Sequence, residues 1–330
     1  MMKTFNYILA DVNIEVHIDG SAWAKGMLNY LCLPHTGLKK SEKKITLFLH
    51  NTDPNQLEQI IPLPDRNALV RTSSLRAGRE IAKYSYHQGA QRWVEYETFG
   101  RIMFDRSNFK SVATHLSNSG IVPLYGHITF GYNPILALLA EYGYETVHAS
   151  CARIGDKGFL FCGQSGKGKS TSAYAILRKG HSILADDRIM VRKNSRYSAF
   201  AISDVIKLQQ EARDNFFPEL NSIEPQVQID NEYYYKASLF GKNSFINKTG
   251  INYLCVFERS SDTKSRIEPI NPARVVGELF PVSMSNYNAK AMQDKFNFLM
   301  DFVSQIDCHK IYAGTDMDRL VETLETFAAI

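Results

Sequence analysis

Long apolar runs, clustered cysteines and a strong charge of either sign are all missing from this 330-residue chain. No apolar stretch approaches the roughly 18 residues that a membrane-spanning helix needs, so no membrane insertion is expected. The start, Met1-Met-Lys-Thr-Phe-Asn-Tyr7, lacks the basic-then-apolar order of a secretory signal, and a cytoplasmic protein is expected. The five cysteines (Cys32, Cys151, Cys162, Cys255, Cys308) are odd in number, widely spread and without a C-x-x-C pair. That pattern argues against a disulfide framework and a zinc site alike. Lys and Arg number 38 against 34 Asp and Glu, a formal charge of +4, too mild to argue for nucleic acid and compatible with an anionic ligand. Asn247-Lys-Thr249 matches a glycosylation sequon that carries no weight without a secretory signal.

What is present is the composition of a folded protein, 44% hydrophobic and 22% charged, with chain for one large or two ordinary domains. Val12, Ile14, Val16 and Ile18 alternate onto one face, and Ile45, Leu47 and Leu49 repeat the period, which predicts half-buried strands. The lysines between them (Lys39, Lys40, Lys43, Lys44) read as a solvated turn. Arg92 to Phe104 predicts a strand pair broken at Gly100, so residues 1–110 form a β-rich region and 111–330 a second domain. A helix is expected from Asn133-Pro134, with Asn as its cap, to Gly143. Thr146 to Ile154, a Gly155-Asp156-Lys157-Gly158 turn and Gly158-Phe-Leu-Phe-Cys162 predict a hairpin. Toward the end, Ile251 to Phe257 reads as a buried strand, and Asn271-Pro272 opens a helix that Pro281 stops. Met292, Phe296, Leu299, Val303 and Ile306 form one helical stripe of core packing. A last helix is capped at Thr315 and buries Leu320, Leu324 and Phe327.

The chemistry concentrates at Gly163-Gln164-Ser165-Gly166-Lys167-Gly168-Lys169-Ser170, which fits G-x-x-x-x-G-K-[ST]. Glycines in that pattern let backbone N–H groups converge on phosphate oxygens, with the lysine on the β and γ phosphates and the hydroxyl on Mg²⁺. The apolar strand before it and a helix from Ser170 to Lys179 after it aim a helix N-terminus at the phosphates. Sixteen residues on, Asp186-Asp187 ends a short strand, His181 to Ala185, where one carboxylate could hold metal and the other accept a proton. His148, on the strand preceding the hairpin turn, could face the same phosphates. Lys207 and Lys236 are candidate further cations, and Tyr233-Tyr-Tyr235 fits mixed burial in a strand as well as base stacking.

These residues resemble the clan of HPr kinase/phosphorylase and phosphoenolpyruvate carboxykinase, in which a His precedes a hairpin, then G-x-S-G-x-G-K-[ST], then a prompt Asp-Asp. The strong match covers about residues 146–192. More weakly, the whole chain is similar to bacterial HPr-kinase-related proteins with their own β-rich N-terminal region, some of which phosphorylate a serine of a small peptide. The resemblance implies an α/β fold, with a β-rich N-terminal region followed by a P-loop domain with a mixed sheet. It implies an ATP-dependent, Mg²⁺-requiring kinase acting on a hydroxyl, a serine of a protein or peptide. By the same carry-over, residues Gly163 to Thr171 cradle ATP, Lys169 stabilises phosphate, Ser170 and Asp187 hold the metal, Asp186 takes the acceptor proton, and His148 lines the catalytic edge. Thr171 stands where HPr kinases commonly show Glu, and no Arg-Pro-Gly-Arg-Asn-like loop follows, which weakens HPr as the acceptor and weakens phosphorolysis. The upstream Lys and Arg of carboxykinases have no counterpart here, so decarboxylation is not expected. A nucleotide-binding sensor without a covalent acceptor, and a kinase of a small molecule, stay open as alternatives.

Overall fold

In a computed structural model the described residues are 2–31, 41–76, 80–117, 126, 128–164, 166–283 and 289–329. Cys32, Lys39, Lys40 and Ser165 lie outside them. The architecture is mixed α/β, and the chain divides into two compact units, Met1–Tyr144 and Glu145–Ile330.

The first unit is built on one eight-stranded sheet. Its strands are β1 (Lys3–Leu9), β2 (Val12–Ile18), β3 (Lys44–Thr52), β4 (Leu69–Arg76), β5 (Glu80–Gln88), β6 (Gln91–Tyr96), β7 (Gly100–Asp105) and β8 (Lys110–Leu116), in the order β1-β2-β3-β8-β7-β6-β5-β4. β3 runs parallel to both β2 and β8. The alternation read from sequence holds: Val12, Ile14, Val16, Ile18, Ile45, Leu47 and Leu49 are all buried on one face. On the other, Val112, Trp93 and Tyr86 pack with Phe48, Met103 and Ile61. Lys43 and Lys44, read as turn lysines, pair with Asp11 and Glu15. Because β8 pairs with β3 and β7, and the helix Asn133–Ala140 contacts β3, residues beyond 110 stay in this unit, whose border falls at 144. Asn133 is not a cap, because a π-helical turn, Ile128–Tyr132, runs straight into that helix.

The second unit follows with β9 (Glu145–Val147), β10 (Ser150–Ile154), β11 (Lys157–Cys162), β12 (Ser182–Ala185), β13 (Ile189–Lys193), β14 (Tyr197–Ala201), β15 (Val205–Gln209), β16 (Val227–Ile229), β17 (Glu232–Lys236), β18 (Lys248–Gly250), β19 (Tyr253–Arg259), β20 (Arg266–Pro269) and β21 (Asp307–Ala313). A mixed six-stranded sheet, β12-β10-β11-β19-β21-β20, forms its centre, flanked by the sheets β18-β14-β13-β9 and β15-β17-β16. Successive residues of β11 go to opposite cores. Phe159 and Phe161 meet Tyr174 to Leu177 of the helix Lys169–Arg178 and Leu320, Val321 and Leu324 of the helix Met317–Ala328. Leu160 and Cys162 meet Val275, Val276, Leu279, Leu299, Phe302 and Val303 of the helices Pro272–Ser283 and Ala289–Ser304. A strand buried on both faces reads as a continuous apolar run, and each phenylalanine so buried contributes about 1.5–3 kcal/mol.

Three terminal expectations shift. Pro281 sits in the last turn of its helix, which continues to Ser283. Phe296 is exposed while Leu299 and Val303 of the same stripe are buried. Asp316, not Thr315, caps the last helix, its carboxylate accepting from the N–H groups of Asp318 and Arg319. The cysteines among the described residues are free and buried, as their sparse spacing suggests.

Candidate functional site

Strand direction gathers the chemistry at one sheet edge. β10 is antiparallel to both β11 and β12, so β11 and β12 end on the same side, and Cys162 and Ala185 release the Gly-rich segment and the aspartate pair together. β10 begins there, with Ser150 opposite Phe161 and Cys151 opposite Ala185, which brings the His148 segment alongside. His148 is not within a strand, as the hairpin reading had it. β9 pairs with β13 while β10 pairs with β11 and β12, and His148 lies at the break where the chain changes sheet. Its backbone N–H there donates to Ser283 Oγ at 3.1 Å.

The Gly-rich segment turns through left-handed backbone at Gly166 (φ 80°) and Gly168 (φ 100°), conformations that a Cβ disfavours. Gly168 is the N-cap of the helix Lys169–Arg178, and Thr171 lies in its first turn. Gln164 and Gly166 are exposed, Lys167 is half-buried, and Lys169 is buried with its ammonium on the carbonyls of Gly163 (2.8 Å) and Gln164 (3.1 Å). Burial pulls the Lys169 ammonium below its ordinary pKa, against the opposing charges of Asp186 and Asp187.

The two aspartates separate sharply. Asp186 is 7% exposed; Oδ1 accepts from Ser150 Oγ (2.6 Å) and Ser170 Oγ (3.0 Å), and Oδ2 from the Lys207 N–H (3.0 Å). Burial raises its pKa, partly countered by the Ser150 bond. Asp187 takes a left-handed backbone (φ 82°) that swings its side chain out of line with Asp186. Its carboxylate is 39% exposed and lies 3.4 Å from His148 Nδ1 and 4.0 Å from Lys207 Nζ. Ser170 therefore meets Asp186, whereas the carry-over paired it with Asp187. Burial lowers the His148 pKa, Asp187 opposes the shift, and Lys169, Arg188 and Lys207 add to it. Burial also disfavours the Lys207 ammonium, yet Asp187, Glu232 and Asp186 together hold its pKa above the usual value.

Lys207 thus belongs to the site, reached from β15. Lys236 lies two residues along the same sheet face, opposite Val205. Of the tyrosine triplet, Tyr233 and Tyr235 are buried in the core and Tyr234 sits on the Lys207 face. Sequence reading missed Ser150, Glu232 and Ser283. A hydroxyl inside the apolar run around Cys151 was the available signal for Ser150; the other two become visible only through pairing across the fold.

The oxygen donors of Ser170 and Asp186 suit Mg²⁺, a hard cation that keeps several waters and takes few protein ligands. Among the described residues no group of three or more His, Cys, Asp or Glu side chains is placed to cage a metal alone. No described helix is long and apolar enough to cross a membrane.

Comparison with known proteins adds an independent line. A family profile described as the HPr Serine kinase C-terminal domain matches residues 139–212, the segment that carries this edge. The chain is a distant, partial relative of HPr kinase/phosphorylases. It is 23% identical over 153 residues to the HPr kinase/phosphorylase of Peptoclostridium acidaminophilum, covering 45% of this chain and 50% of that one. With the HPr kinase/phosphorylase of Streptococcus sanguinis it shares 21% over 251 residues, 69% of this chain and 77% of the other. The chain thus spans about half the length of the first of these relatives. The solved Hpr(Ser) kinase/phosphatase of Coxiella burnetii aligns with 15% identity over 56% of this chain and 95% of its own, at a TM-score of 0.32 that supports no further comparison.

Proposed function

We propose that this chain is an ATP-dependent phosphotransferase that moves the γ-phosphoryl group to a hydroxyl, the serine of a protein or peptide. The observation that carries the reading is the division of labour between the aspartates. Asp186 is buried against the loop hydroxyl of Ser170, while Asp187 is open and backed by His148. The loop from Gly163 to Thr171 binds the polyphosphate through backbone N–H groups, and the Lys169 ammonium neutralises the transferring phosphoryl. Ser170 and Asp186 would hold Mg²⁺, which supplies further charge neutralisation when bound. Asp187 accepts the proton as the acceptor O–H bond breaks; the new O–P bond forms as the bond from the γ-phosphorus to the β–γ bridging oxygen breaks, and ADP leaves. His148 orients the Asp187 carboxylate, and Lys207 faces the reacting groups as a second cation. This assigns the base to Asp187 and the metal side to Asp186. The chemistry rests on positioning and charge neutralisation.

Nucleotide titration beside phosphoryl-transfer assays tests it. Lys169→Ala should weaken ATP binding about tenfold or more, whereas Asp187→Asn should bind ATP normally and lose about a hundredfold or more in transfer. Undiminished transfer by Asp187→Asn would remove the assigned base.

A further inference from the structure

Lys207 lies between two carboxylates, and only one of them has a place in the transfer step. Its Nζ is 3.4 Å from Glu232 Oε1 and 4.0 Å from Asp187 Oδ1. The Tyr234 hydroxyl donates to the other Glu232 oxygen at 2.9 Å. Lys207 stands directly opposite Tyr234 in the β15–β17 ladder, with Glu232 two residues along on the same face. Ile206, Leu208, Tyr233 and Tyr235 are anchored in the core on the opposite face, so this pair of strands cannot turn Lys207 elsewhere. Glu232 takes no part in the phosphate loop, in Asp186 or in His148 by any contact described above; its charge is spent on Lys207.

We infer that Glu232, oriented by Tyr234, is a positioning residue that holds the Lys207 ammonium away from Asp187. The catalytic consequence rests on the phosphotransferase reading; the geometry does not. An ammonium with one acidic neighbour closes to hydrogen-bond contact, near 2.7–2.9 Å. Without Glu232, Lys207 has Asp187 as its nearest carboxylate. Closure there occupies the oxygen that must take the acceptor proton and withdraws the cation from the phosphoryl group. Two carboxylates sharing the ammonium leave Asp187 available and keep Lys207 extended. Tyr234 fixes the Glu232 rotamer by binding the oxygen that Lys207 does not use.

The test compares Glu232→Gln, Glu232→Asp, Tyr234→Phe, Lys207→Ala and the double variant Lys207→Ala/Glu232→Gln in the full chain. Glu232→Gln keeps the size, removes the charge and turns one acceptor oxygen into an amide donor, to which the Tyr234 hydroxyl can turn as acceptor. It should lower kcat about tenfold while KM for ATP stays within about twofold, since an interaction that matters only in the transition state is lost. Glu232→Asp should recover part of the rate, and Tyr234→Phe should give a smaller loss of the same kind. The double variant should be no slower than Lys207→Ala, because the clamp has nothing left to hold. A crystal structure of Glu232→Gln should show Lys207 Nζ in direct contact with Asp187. Wild-type kcat in Glu232→Gln, multiplicative losses in the double variant, or Lys207 unmoved in that crystal structure would each overturn the inference. Absence of any transfer by the wild-type chain would instead refute the phosphotransferase reading, and the crystal structure would still decide the clamp.

Discussion

Asp186 gives the sharpest stability test, because its two simplest replacements differ in what they leave behind. Alanine removes the acceptor from three donors: the Ser150 hydroxyl at 2.6 Å, the Ser170 hydroxyl at 3.0 Å and the Lys207 N–H at 3.0 Å. Ser150 is fully buried and Ser170 partly so. A buried donor without a partner costs about 1–3 kcal/mol, so two of them set the loss at about 2–6 kcal/mol. Removing a carboxylate whose pKa burial already raises offsets part of that. Asparagine can turn its carbonyl to the Lys207 N–H and donate from its amide to both serine oxygens, which accept equally well. Its cost should be about 1 kcal/mol. Urea unfolding can be followed with two probes. Trp23 and Trp93 are the two tryptophans of the chain and both belong to the first unit, so their fluorescence follows that unit while far-UV circular dichroism follows both. The Asp186→Ala loss should appear in the dichroism transition. Equal midpoints for the alanine and asparagine variants would refute the account of Asp186 as a three-donor hub.

Two further outcomes follow from packing and titration. A Cβ on Gly158 would stand 1.9 Å from the Gly250 carbonyl oxygen, so Gly158→Ala should destabilise the second unit by about 3 kcal/mol or more, whereas Gly277→Ala, with open space and a helical backbone, should be neutral or gain about 0.5–1 kcal/mol; thermal melts of the pair check both. Asp105 is held down to a pKa of about 2 by hydrogen bonds from Ser107 and Asn108. A depressed acid pKa adds stability above the unfolded value of 3.8 that is lost as pH falls through the folded one, so the stability gap between wild type and Asp105→Ala should narrow as pH falls from about 4 through about 2; a gap of constant size across that range contradicts this.

Local pattern made most of the second unit's centre legible. Cys162, the aspartate pair and the helix after the loop follow from apolar runs bounded by glycines, and the six-stranded sheet places them as that order requires. Alternation found β2 and β3 for the same reason, since one face of each is buried. What sequence could not reveal depends on backbone turns and on pairing between distant segments. The break at His148 comes from β9 and β10 joining different sheets, although both read as one extended run. That the Ser170 hydroxyl meets Asp186 goes with a left-handed residue at 187, a conformation unmarked by any glycine. Glu232 comes to Lys207 only because β17 pairs with β15 across a loop and a helix. Likewise the border at 144 reflects β8 joining β3 to β7 inside the first sheet and the helix Asn133–Ala140 packing against β3, long-range contacts that composition does not record.

The most direct test of the central claim is covalent transfer of label from γ-labelled ATP, with Mg²⁺, to the proteins and peptides encoded beside this chain, using wild type, Lys169→Ala and Asp187→Asn in parallel. The account predicts a labelled acceptor, with label on a serine hydroxyl, for the wild type, and labelling slowed about a hundredfold or more by Asp187→Asn and strongly reduced by Lys169→Ala. Nucleotide binding by the wild type with no labelled acceptor, or labelling by Asp187→Asn at the wild-type rate, would contradict it.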